Sequence, residues 1–247
     1  MLKLFERIRI FLLDILFPVQ CLGCGKEGQW ICDECLETIK LTDYSVCPVC
    51  KKNSVSGKVC WLCQDKTALS GLLVACSYKN ELLKKAIHTF KYKFVQDLSK
   101  PLAVFLIQRL ETVFGYEFFP AFWKDEVYSS EFLVIPVPLH QKRFRWRGFN
   151  QAELLGKRVS NFFKLPFGGN VLIRRRYTVP QTEIKNKERR KENIKGAFKC
   201  IRPERVKAKR IILVDDVCTT ASTLNECAKA LSKSGAKEIW GLVLARG

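Results

Sequence analysis

At 247 residues the chain can hold one α/β domain and a small appendage, and 47 % hydrophobic residues exclude a disordered chain. Lys and Arg number 43 against 24 Asp and Glu, a formal net charge of +19, which points to a polyanionic partner: nucleic acid, an anionic membrane surface or a phosphorylated substrate. There are 12 Cys, but their spacing argues against a disulfide framework.

Residues 2 to 17 are apolar with charges at Lys3, Glu6, Arg7, Arg9 and Asp14, too short and too charged to span a bilayer. Glu6 and Asp14 also break the pattern of a signal peptide, and no small-residue cleavage site follows. Leu4, Ile8, Phe11, Leu12 and Ile15 recur at helical spacing, so residues 1–18 read as an amphipathic helix ended by Pro18. Packing on the next module is preferred to a peripheral contact with a membrane.

That module, residues 19–66, carries four C-x-x-C pairs: Cys21/Cys24, Cys32/Cys35, Cys47/Cys50 and Cys60/Cys63. A C-x-x-C turn aims two thiolates at one metal, and two such turns close a tetrahedral site of four thiolates, so a double zinc ribbon with two structural zinc ions is expected. Gly23, Gly25 and Pro48 supply the tight turns. Sequential pairing of the four motifs needs only short hairpins; a crossed pairing stays open. Thiolates kept reduced on zinc place the protein in the cytoplasm.

Residues 70–247 read as the second domain. The pattern predicts a strand over Leu72 to Tyr78, a helix over Asn80 to Tyr92, a helix over Leu98 to Phe114 and a looser aromatic stretch to Ser130. His88, one of two His, is left without a role. A buried strand, Phe132 to Val137, leads into a loop, His140 to Gln151. There Lys142, Arg143, Arg145 and Arg147 interleave with Phe144, Trp146 and Phe149. Basic and aromatic residues so mixed suit pyrophosphate or the bases and backbone of a nucleic acid. A helix resumes from Gly148 to Lys164, then a strand, Val171 to Ile173. A long polar loop with Arg174, Arg175 and Arg176 follows.

The run from Arg210 to Leu231 organises the rest. Ile211 to Val214 reads as a strand buried on both faces, ended by Asp215 and Asp216. Thr219, Thr220, Ala221, Ser222 and Thr223 form a hydroxyl-rich turn at the start of a helix whose Leu224, Ala228 and Leu231 share one face. The free N–H groups of a helix start cradle a phosphate, and carboxylates at the C-terminal end of a parallel strand accept from ribose hydroxyls. A last strand spans Ile239 to Ala245.

The run from Ile211 to Thr223 closely resembles the ribose-phosphate signature of type I phosphoribosyltransferases, with Ala221 where that signature has Gly. If the backbone there needs a positive φ, Ala221 carries strain. The resemblance implies an α/β fold, a parallel sheet flanked by helices, and the long polar loop as a hood over pyrophosphate.

Pro136-Val137-Pro138-Leu139-His140, then Arg143, then Arg147 to Gln151, resembles the ComF (competence protein F) family. So do the C-x-x-C ribbons, the triplet Phe90-Lys91-Tyr92, Gln181-Thr182, the pair Arg190 and Asn193, and Gly196-Ala197-Phe198. This resemblance implies a cytoplasmic protein of DNA uptake in natural transformation, with DNA-uptake proteins such as a competence helicase as partners.

On this reading Asp215 and Asp216 hold the ribose of phosphoribosyl pyrophosphate, and Thr219 to Thr223 hold its 5′-phosphate. Arg143, Arg147 and Arg190 neutralise the pyrophosphate, with magnesium bridging it. Single-stranded DNA is expected on Lys84, Lys85, Lys91, Lys142, Arg145 and Trp146. The alternative is an active transferase that moves ribose 5-phosphate to an unidentified base and has no direct DNA role.

Overall fold

A computed structural model describes residues 18–114, 130–178 and 192–247. The expected N-terminal amphipathic helix, the aromatic stretch before Ser130 and the segment with Gln181, Thr182 and Arg190 lie outside them.

Four parallel strands make the central sheet, in the order β1 (Gly71–Ser77), β6 (Glu238–Arg246), β5 (Arg210–Cys218), β2 (Phe132–Pro136). Val214 lies between Leu242 on one side and Pro136 on the other, which puts β5 in the interior of the sheet. A strand covered on both faces must be apolar at successive positions, and Ile211 to Val214 are all buried.

Alternate residues then go to opposite layers. Ile212, Val214, Leu242 and Leu244 pack with Phe90, Leu106 and Leu155 on one face. These come from α2 (Glu81–Tyr92), α3 (Ser99–Phe114) and α5 (Gln151–Phe162). Ile211, Leu213 and Val243 face Leu224, Ala228 and Leu231 of α6 (Ser222–Ser232) on the other. A small antiparallel pair, β3 (Leu172–Arg174) with β4 (Phe198–Cys200), stands apart from the main sheet and covers the same side as α6.

Two expectations are corrected. The acidic pair does not end its strand, because β5 continues to Cys218 and pairs with β6 as far as Arg246. The basic aromatic loop is in large part helical: His140 caps α4 (Gln141–Arg147) through its side chain. Gly148, at φ 77°, ends α4, and Asn150 then caps α5 by accepting from the N–H of Ala152. A glycine at a left-handed helix end costs no Cβ strain, so α4 stops at Gly148 and the expected helix starts only at Gln151.

The two ribbons repeat one backbone device. Gly25 N–H donates to the Cys21 carbonyl at 2.9 Å, and Lys51 N–H to the Cys47 carbonyl at 3.0 Å. Both donors have positive φ, 79° and 63°. The short helix α1 (Asp33–Glu37) presents Cys35. The linker between the ribbons docks on the edge of β1, where Thr42 N–H donates to the Ala75 carbonyl at 2.8 Å. Arg109 of α3 clamps that linker, donating to the Thr42 carbonyl at 3.0 Å and to Ser45 Oγ at 2.6 Å.

Candidate functional site

The eight Cys fall into two clusters, Cys21, Cys24, Cys32 and Cys35, and Cys47, Cys50, Cys60 and Cys63, with all Sγ atoms of a cluster within 4.8 Å of one another. Pairing of the motifs is therefore sequential. Sγ separations of 3.7 Å (Cys21 to Cys32), 3.6 Å (Cys24 to Cys32) and 3.7 Å (Cys50 to Cys60) fit the donor set to zinc. A tetrahedron with Zn–S of about 2.3 Å has edges of about 3.8 Å.

The C-terminal end of β5 opens on two adjoining spaces. One, of about 520 Å³, is lined by Arg143, Arg147, Arg174, Tyr92 and Trp146, with Asp215 and Asp216 at its floor. The other, of about 360 Å³, is lined by Thr219 to Thr223, His88 and Lys84. Lys91, Tyr92, Asp215, Val217 and Thr223 wall both. A ligand with an anionic group at each end and a polar middle would set that middle on the carboxylates.

In the smaller space Ala221 stands at φ 56°, so the strain expected of Ala in place of Gly is present. A left-handed Ala costs roughly 1–2 kcal/mol. It turns the chain so that α6 begins at Ser222, with Asn225 N–H donating to the Ala221 carbonyl at 2.9 Å. The Thr220 and Ser222 hydroxyls lie 2.8 Å apart. N–H groups of a helix start and two hydroxyls thus face one cavity, which suits a phosphate.

Asp216 is buried, and its Oδ1 accepts from Val217 N–H at 2.6 Å and from Lys91 Nζ at 2.7 Å. Burial alone would lower the Lys91 ammonium, but the Asp216 charge outweighs it and holds Lys91 above its ordinary value. For Asp215, burial and the neighbouring Asp216 carboxylate push the group up to about 7. Lys91, expected from the sequence as a DNA contact, therefore lies inside the cleft as the partner of Asp216. Of its two neighbours in that expectation, Lys84 pairs with Glu81 at 2.7 Å, and Lys85 donates to the Leu22 carbonyl of the first ribbon at 2.6 Å.

The larger space is ringed by guanidinium groups. Arg147 donates to Gln151 Oε1 at 2.8 Å, and Arg143 to the Thr178 carbonyl at 3.1 Å. Arg174, not singled out from its two Arg neighbours in sequence, also bonds Thr178 and lines the space. Burial and the Arg143 charge lower it to about 10. Among the described residues the Nε atoms of Arg147 and Arg174 are buried without a partner, which leaves donor capacity for an anion. At the rim, Trp146 is 60 % exposed and meets Phe94 edge-on at 5.3 Å and Tyr92 at 6.5 Å. Lys142 and Arg145 sit on the same short helix, both exposed.

Family models match towards the two ends of the chain: the double zinc ribbon domain over residues 12–67 and the phosphoribosyl transferase domain over residues 150–247. Competence protein F of Haemophilus influenzae is 31 % identical over 87 % of this chain and 96 % of its own length. DNA utilization protein YhgH of Escherichia coli (strain K12) is 30 % identical over 87 % and 91 %, and competence protein ComFC of Bacillus subtilis 26 % over 85 % and 81 %. The parallel sheet, the four-thiolate clusters and the two family models define a phosphoribosyltransferase-type α/β domain carrying a double zinc ribbon. The chain belongs to the competence protein F family.

Proposed function

We propose that the protein binds phosphoribosyl pyrophosphate in the cleft at the end of β5 and single-stranded DNA along the rim of that cleft. It would act in the cytoplasm, in the handling of DNA during competence. The observation that carries the first part is the order of groups across the cleft: phosphate turn, then Asp215 and Asp216, then Arg143, Arg147 and Arg174. That order matches a 5′-phosphate, a ribose and a pyrophosphate. The names of the similar proteins supply the DNA context. Exposed Trp146 beside Lys142 and Arg145 supports a base-stacking, phosphate-contacting rim for an unpaired strand. No helix among the described residues is long and apolar enough to cross a membrane.

A second reading, transfer of ribose 5-phosphate to a base, is favoured by Tyr92 and Trp146 lining the same cleft as the carboxylates. Transfer breaks the bond between C1′ and the pyrophosphate oxygen and asks the protein only for positioning and charge stabilisation. Asp215 and Asp216 would orient the ribose, and the three arginines would take up the charge left on the departing pyrophosphate. Calorimetry with phosphoribosyl pyrophosphate and fluorescence titration with an oligothymidylate test the first reading. Absence of binding in both rejects it. Pyrophosphate release on adding candidate bases separates the second from it.

A further inference from the structure

Lys91 changes what the acidic pair can hold. It lies in the last turn of α2 with its Nζ 2.7 Å from Asp216 Oδ1, the side chains 19 % and 9 % exposed. The same oxygen already accepts the Val217 N–H, and Asp215 Oδ1 accepts the Asp216 N–H at 2.9 Å. Among the described residues, Asp215 and Asp216 are the only carboxylates lining either space. Against them stand Lys91, Lys142, Arg143, Arg147 and Arg174 in the larger space and Lys84 in the smaller.

Magnesium prefers near-octahedral oxygen ligands, keeps several waters, and is held by one or two carboxylates together with substrate phosphates. Here such an ion would have to compete with an ammonium on Asp216 and lie among several cations. The residues present do not fit a magnesium ion held by the protein.

We propose that Lys91 is the resident cation of this pocket and that phosphoribosyl pyrophosphate binds without a divalent ion. An ammonium has three donors, so Lys91 can keep Asp216 with one and give the others to ligand oxygens. Asp216 keeps a second oxygen for a ribose hydroxyl. The arginines then balance the pyrophosphate charge, which magnesium would otherwise offset. Lys91 is thus a positioning residue: it holds the carboxylate in place and bridges it to the anion. This rests on the reading of the cleft as a phosphoribosyl pyrophosphate site.

The test is calorimetric binding of phosphoribosyl pyrophosphate to the full chain with magnesium and in magnesium-free buffer without a chelator, which spares the zinc, for wild type, Lys91→Met and Lys91→Arg. Wild type and Lys91→Arg should bind without magnesium about as tightly as with it. Lys91→Met without magnesium should lose about 10–100-fold, the worth of a charge-assisted hydrogen bond. Loss of wild-type binding only when magnesium is left out would overturn the proposal while sparing the pocket assignment. Unchanged binding by folded Lys91→Met without magnesium would also overturn it. Should that variant fail to fold, the wild type and Lys91→Arg in the two buffers still decide. Wild type that binds in neither buffer would overturn the pocket assignment and the proposal together.

Discussion

Arg246 donates from Nη2 to the carbonyl of Pro48 at 2.8 Å, which ties the end of the last strand to the turn of the second zinc knuckle. From Nε the same guanidinium reaches the Thr219 carbonyl of the hydroxyl-rich turn at 3.2 Å. The knuckle, the sheet and the hydroxyl-rich turn therefore share one cation, and its Nη1 is buried with no partner among the described residues. Arg246→Ala should cost about 1–2 kcal/mol of stability while leaving two zinc ions per chain, since it strips two carbonyls of a charged donor but touches no thiolate. Urea unfolding with parallel elemental analysis checks both halves.

Metal removal should act on the ribbons first. Each four-thiolate cluster organises short turns with little core of their own, so chelation should unfold residues around Cys21 to Cys63 while the parallel sheet persists. Hydrogen exchange on chelated protein should show the loss confined to that region. Protection lost equally in β5 would show that the sheet depends on the ribbons.

Asp215 should make stability depend on pH. Its folded value, about 7, lies above the ordinary carboxylate value, so the folded state binds the extra proton. That contribution is full below about pH 4 and is lost as pH rises through about 7. At pH 8 the folded protein bears a half-buried charge beside the Asp216 carboxylate, and Asp215→Asn should stabilise it by up to about 4 kcal/mol. The gain should shrink towards pH 5. Melting curves of wild type and variant at the two pH values measure the difference; no gain at pH 8 would mean the charge is not disfavoured.

The pair of Lys91 and Asp216 predicts a non-additive cycle. Asp216→Asn leaves a largely buried ammonium without its charge partner and should cost about 3 kcal/mol. Adding Lys91→Met to it should recover much of that loss, because a buried pair replaced as a whole is close to neutral. Denaturant midpoints for the two single variants and the double variant give the coupling directly. Additive losses would sink the pair as a stabilising unit.

Trp146 and Arg145 separate stacking from charge on the proposed DNA rim. Trp146→Ala should weaken single-strand binding by about 1–3 kcal/mol with the salt slope kept. Arg145→Ala should flatten the slope by about 0.7, one phosphate contact. Because Trp146 is 60 % exposed, its removal should leave the melting temperature nearly unchanged. Affinity at several salt concentrations, with melting curves alongside, tests all three; unchanged affinity in both folded variants would move the DNA site elsewhere.

The residues themselves determined the two four-thiolate clusters and the hydroxyl-rich turn before α6, because both are local devices. A C-x-x-C knuckle and a strand that runs into a hydroxyl-rich helix start keep their chemistry within a few positions of the chain. The apolar run Ile211 to Val214 likewise announced a strand covered on both faces. Only the tertiary structure decided that the four motifs pair in sequence, that β5 carries its carboxylates within the strand, and that the basic loop coils into α4. It alone brought Lys91, from a helix far back in the chain, onto Asp216, and chose Arg174 from three successive arginines. Charge pattern cannot tell a solvated lysine from a buried one, since that depends on which carboxylate the packed sheet sets opposite it.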